Sequence, residues 1–103
     1  MQPTNMELNQ LLKYIEQMKM RRGFNGASIE QEMVLLTEEV GELAHEVWEV
    51  VKAGGASDDL RRDLAFEVVD CLIFLLSIAG MAGIEDIEGY FREKEVINRH
   101  RFE

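Results

Sequence analysis

The stretch Glu38–Asp70, EEVGELAHEVWEVVKAGGASDDLRRDLAFEVVD, carries the fold and the chemistry together. Glu39 and Glu42 stand three positions apart, as do Glu67 and Asp70. That spacing puts both carboxylates of a pair on one face of an α-helix. Glu38 sits beside the first pair. At 3.6 residues per turn, Glu39 and Glu42 lie about 60° apart around the axis and Glu38 and Glu42 about 40°, so all three reach one side. Between the pairs, Gly54-Gly55 stops one helix and Ser57 or Asp58 caps the next. A turn this short lays the two helices antiparallel and side by side. The acidic sets stand at similar distances from the turn, so they come to the same height. Carboxylates facing one another among apolar residues need a counter-charge. A hard divalent cation such as Mg²⁺, which prefers oxygen ligands, supplies it most economically. A solvated acidic face is the competing reading of any single ExxE, and two height-matched sets in one hairpin favour the metal.

Outward from the hairpin, the pattern stays helical. Ser28 and Gln31 form an S-x-x-Q capping box that opens the second helix, which runs on to about Ala53. Upstream, Leu8, Leu11, Leu12, Ile15 and Met18 recur at three- and four-residue spacing, predicting a first helix from about Asn5 to Arg22. GFNGA at Gly23–Ala27 breaks it. The third helix is predicted to end near Ala82, with Gly83 as its stop. A fourth runs from about Glu85 to Asn98 and is followed by a basic tail. Strand signals are nearly absent. The expected fold is all-α, a four-helix protomer built on a central antiparallel hairpin, in one domain spanning the 103 residues. From Cys71 onward the third helix is apolar on nearly every face. Such a helix must be covered on every face, and three short neighbours struggle to do so. A helical-bundle homodimer or homotetramer is therefore expected, a two-fold dimer being the simplest form.

Composition narrows the partners. The chain carries 20 acidic against 11 basic residues, a net charge of −9. That disfavours nucleic acid and anionic membrane surfaces, though a bound metal can reverse the sign locally for a nucleotide. The apolar run from Cys71 to Ile84 is shorter than the roughly 20 residues of a membrane span, so no membrane partner is expected. The single cysteine, Cys71, has no internal disulfide partner and reads as a packed core thiol. It fits a reducing compartment, and a cytoplasmic location is expected. No signal peptide is evident at the polar N-terminus. Gly41 weakens the second helix by roughly 1 kcal/mol relative to Ala, which close approach of a helix or ligand would explain. Trp48 reads as packing, Lys19 and Arg22 as solvated, and His45 as a surface residue within one turn of Glu42.

Glu38-Glu39-x-x-Glu42, followed by Glu67-x-x-Asp70 and an apolar run, resembles the E-E-x-x-E … E-x-x-D signature of the MazG-like, all-α nucleoside triphosphate pyrophosphatases. The resemblance covers the hairpin from about Gln31 to Ile78. It implies a Mg²⁺-dependent hydrolysis, with Mn²⁺ as an alternative ion, of a nucleoside triphosphate to the monophosphate and pyrophosphate. Clearing unwanted nucleotides from the pool is one use of such chemistry. By carry-over, Glu39, Glu42, Glu67 and Asp70 would hold the metal. Glu38 would aid a second metal or orient the attacking water, and with Glu39 it forms the expected catalytic pair. Lys94, Asn98 and Arg101 are similar to the family's basic segment and would meet the phosphates. Phe24 and Asn25, in the loop before the second helix, could stack on and hydrogen-bond to a base.

Two other readings compete. One is a non-enzymatic helical dimerisation or nucleotide-binding module that keeps an acidic metal site. The other is a ferritin-like di-metal carboxylate bundle, which pairs Glu with Glu-x-x-His motifs. Glu42 and His45 supply one such motif, but the partner on the third helix ends in Asp70, so the match is half made.

Overall fold

A computed structural model describes residues 7–103 and contains four α-helices and no strand among them. They are α1 (Leu8–Arg22), α2 (Ile29–Lys52), α3 (Asp58–Met81) and α4 (Ile87–Phe102). The all-α architecture and the central hairpin are as the periodicity predicts. The expected start of α1 at Asn5 lies outside the described residues.

Local chemistry sets the helix ends. Gly23 takes a left-handed φ of 72°, where an L side chain would be strained, and ends α1. At the start of α2 the capping box is complete. The Gln31 amide donates to Ser28 Oγ at 3.2 Å and the Ser28 amide to Gln31 Oε1 at 2.8 Å. Gly54, at φ 76°, turns the chain after α2, and Ser57 caps α3 by accepting from the Leu60 amide. Two differences concern α4. Its cap is Asp86, which accepts from the Gly89 amide at 2.9 Å. Its helix also runs on to Phe102, so the basic residues expected in a tail ride on an ordered helix. Arg99, His100 and Arg101 lie in its last turn, where cations face the negative end of the helix dipole.

The hairpin α2–α3 is the most extensive packing in the chain, α1 lies along α3, and α4 touches α1. The buried core sits between α1 and α3, where Leu12, Ile15 and Met18 meet Leu76 and Ala79. Asn9 anchors α4: its amide donates to Glu88 Oε2 and its side chain to Asp86 Oδ1, both at 2.9 Å.

Because α3 begins well before Cys71, it is 24 residues long. By length and composition alone it could cross a membrane, with a mean hydropathy of 2.1 over its most apolar 18 residues. Glu67 and Asp70 lie on that helix, and ionised groups are costly in hydrocarbon.

Candidate metal centre

The hairpin seam explains why carboxylates are half-buried. Leu36, Glu39, Leu43, Glu46 and Val50 recur along α2 at alternating three- and four-residue steps, and Leu60, Leu64, Glu67 and Cys71 do the same along α3. That is the repeat of two helices packed along their length. All nine of these residues are buried or half-buried. Glu39 and Glu67 thus occupy positions where the repeat calls for apolar side chains. Each leaves one oxygen, Oε2, buried with no hydrogen-bond partner. An unpartnered buried oxygen costs the desolvation of that group, so the pair stands in need of a ligand.

Asp70 completes a set. One carboxylate oxygen from each of Glu39, Glu67 and Asp70 lies within 4.8 Å of the others. Opposite ligands of a Mg²⁺ ion, each at about 2.1 Å, would stand roughly 4.2 Å apart, so modest closure brings the three onto one ion. The donors are hard oxygens, and the two orphaned ones fit the expected cation.

The electrostatics carry the same signature. Burial first, then the charge of Glu42, the adjoining Glu67 carboxyl and the charge of Asp70, push the Glu39 carboxyl up to about 7. Burial also raises Glu67, and the adjoining Glu39 carboxyl opposes that rise. Both carboxyls are thus held above the ordinary carboxylate range. Cys71 is buried beside them, and its thiol is pushed up by burial and by the charges of Glu39, Glu67 and Asp70. It is the packed thiol expected of that position.

The remaining candidates are placed more loosely. Glu42 is exposed and does not join the set of three. It lines an open cleft above the set with Glu38, Gly41, His45, Glu46 and Glu67. Gly41 faces open space, since a Cβ there meets nothing within 4 Å, so close approach of a helix does not explain it. Lys94, Asn98 and Arg101 ride on α4, whose principal contact is with α1, and none of them lines the acidic cleft of its own chain. Phe24 lines a second cleft of about 570 Å³, between the end of α1, the start of α2 and the middle of α3. Asn25 lines a smaller one of about 230 Å³ along α1 and α3. The structure thus brings Glu39, Glu67 and Asp70 together, sets Glu38 and Glu42 at their rim, and leaves the basic group apart. Trp48, read as packing, is 56% exposed.

Two residues escape sequence reasoning. Glu46 lies on the seam two turns past Glu39 and lines the acidic cleft. Lys19, read as solvated, is drawn into an ion pair with Glu32, which is only 3% exposed. The Lys19 ammonium donates to Ser77 Oγ at 2.6 Å, and Ser77 donates to Glu32 Oε1 at 2.8 Å. The signal in the sequence was Glu32 itself, a charge at a seam position four residues before Leu36.

Comparison with family models finds no match, and comparison with curated proteins finds none.

Proposed function

We propose that the chain is a divalent-metal-dependent nucleoside triphosphate pyrophosphohydrolase, releasing pyrophosphate and the monophosphate, and that it works as a symmetric pair of chains. The observation that carries the reading is the pair of orphaned buried oxygens on Glu39 and Glu67, with Asp70 beside them, at the point where the seam calls for apolar residues. Glu39, Glu67 and Asp70 would hold the ion. When bound, a Mg²⁺ ion neutralises charge on phosphate oxygens and lowers the pKa of a coordinated water. Glu38 and Glu42, exposed on the rim, are free to hold and orient a water and to accept its proton. The reaction class rests on the E-E-x-x-E … E-x-x-D resemblance.

Among the described residues lining the acidic cleft there is no lysine or arginine to meet a triphosphate. Lys94, Asn98 and Arg101 meet that need if a second copy brings its α4 across, and the pairing would also cover the apolar surface of α3.

A panel of nucleoside triphosphates assayed with Mg²⁺ for pyrophosphate and monophosphate tests the reading. At least one should be turned over. Glu39→Ala and Asp70→Ala should each lower kcat by more than about a hundredfold while the helical circular dichroism persists. Undiminished turnover in both variants would rule out this site. Nucleotide binding without turnover in the wild type would point to a binding module instead.

A further inference from the structure

A cleft of about 570 Å³ with largely apolar walls lies one helical turn from the carboxylates. Leu35, Glu38 and Glu42 share one face of α2, and Asp70, Ile73 and Ser77 share one face of α3, each at i, i+3, i+7 spacing. Leu35, Ile73 and Ser77 line the 570 Å³ cleft, so it lies on the same side of the hairpin as the acidic set. Leu35 is one turn, about 6 Å along the axis, from Glu39. Phe74, also on the wall, is one turn from Asp70. The volume is within the range of small-ligand sites.

The cleft has an apolar wall and a charged floor. Phe24, 62% exposed, and Leu35, 39% exposed, present free apolar surface to it. Its floor holds Lys19, Glu32 and Ser77. Glu32 Oε1 takes both the Lys19 contact and the Ser77 hydrogen bond. Among the described residues, no donor meets Glu32 Oε2, and this oxygen is not one of the fully enclosed ones. Paired with the Lys19 ammonium, the Glu32 carboxylate oxygens serve as hydrogen-bond acceptors. A cleft with apolar side chains on its wall and a carboxylate acceptor on its floor fits a planar heteroaromatic ring with an N–H on its outer edge.

We propose that this cleft takes the base of the nucleotide and that Glu32 is its specificity-determining residue, accepting an N–H from the base edge while Lys19 and Ser77 hold the carboxylate in place. The ligand class is a nucleobase carrying an amino group on its outer edge, cytosine or adenine, rather than one that presents a carbonyl there. A base without that donor leaves the buried acceptor unpaired. The proposal rests on the nucleotide reading above, but free nucleosides test it without metal, phosphate or turnover.

The experiment is an NMR titration of metal-free protein with two pairs of nucleosides. Each pair differs only in the donor: cytidine against pyrimidin-2-one riboside, and adenosine against purine riboside. The amino-bearing member should bind at least about tenfold tighter, with shifts at Phe24, Leu35 and Phe74. Removing one partner of a buried ion pair risks unfolding, so the control is the double variant Lys19→Met, Glu32→Leu, which replaces the pair by apolar groups of similar size. It should keep the helical spectrum and bind both members of a pair equally. Equal binding by the wild type, shifts elsewhere on the protein, or discrimination that survives the double variant would overturn the proposal. Failure of the triphosphate assay alone would leave the nucleoside result to decide it.

Discussion

Two buried charges decide what single residues contribute here. Lys19 and Glu32 form an ion pair that is 13% and 4% exposed at the side chains, where α1 lies along α3 beside the start of α2. Truncating one member leaves the other charged and unpaired, which is costly. Lys19→Met should lower the unfolding free energy by about 3–5 kcal/mol in urea titration, while Lys19→Met with Glu32→Leu should recover most of that loss. A loss in the double variant equal to the sum of the two single losses would show that the pair is not coupled. Glu39 contributes with the opposite logic. Its carboxyl titrates near 7 in the folded chain, against an ordinary 4.5, chiefly because of burial. Between those values the folded state binds more protons than the unfolded one, so metal-free stability falls as pH rises through that window. Glu67 is shifted the same way. Asp86, held low by Asn9 and the Gly89 amide, acts below its ordinary value and leaves that window untouched. Mg²⁺ should reverse the loss above pH 7, adding about 2.7 kcal/mol at a hundredfold excess over its Kd. Glu39→Gln should flatten the pH dependence and abolish the Mg²⁺ effect in thermal melts. An unchanged pH profile in Glu39→Gln would place the titrating group elsewhere.

Helices reveal themselves in this chain because their stops are chemically explicit. Gly23, Gly54 and the Ser28–Gln31 and Ser57 caps are short-range signals, and each acts where the local pattern puts it. Ser57→Ala, which removes the acceptor for the Leu60 amide, should cost about 1 kcal/mol by chemical denaturation. A neutral outcome would mean that water replaces the cap. The carboxylate convergence was legible for the same reason, since it follows from counting residues on both sides of a short turn. The end of α4 is not: the sequence pattern alone makes Arg99 and Arg101 a tail, although their charges suit a helix C-terminus and the helix runs to Phe102. Lys19 was not legible either. Its environment depends on α1 crossing Glu32 and Ser77, contacts 13 and 58 residues away in sequence, and no local pattern encodes that crossing. The split between Glu39, on the seam, and Glu42, on the rim, needed the α2–α3 register as well as the spacing.

The whole molecule has two unlike faces. The face with Asp70, Glu38 and Glu42 is acidic. The opposite face is apolar: Met33, Val40, Val47 and Val51 follow one another along α2, with Val68 and Leu75 alongside on α3, and all six are 47–61% exposed. The radius of gyration, 16.0 Å, exceeds the roughly 13 Å of a compact chain of this length. A run of exposed apolar residues along two helices is uncommon on a monomer, and a second copy is the proposed cover. A second copy meeting it by two-fold symmetry would bury the same residues twice. Light scattering should then give twice the 11.9 kDa of one chain, or a multiple of that. Val40→Lys with Val47→Lys places like charges at the centre of such a face and should shift the protein to monomer. Trp48 reports the change, being the only tryptophan and standing one position from Val47 on α2. Its emission should move to longer wavelength in the Lys variant and on dilution of the wild type. A monomeric mass for the wild type, with Trp48 emission independent of concentration, would remove the second copy as the cover of this face. Because α3 is long and apolar, a chain that instead partitions onto neutral vesicles would assign the face to lipid. The acidic set predicts against that outcome, since burying α3 in hydrocarbon would carry Glu67 and Asp70 with it.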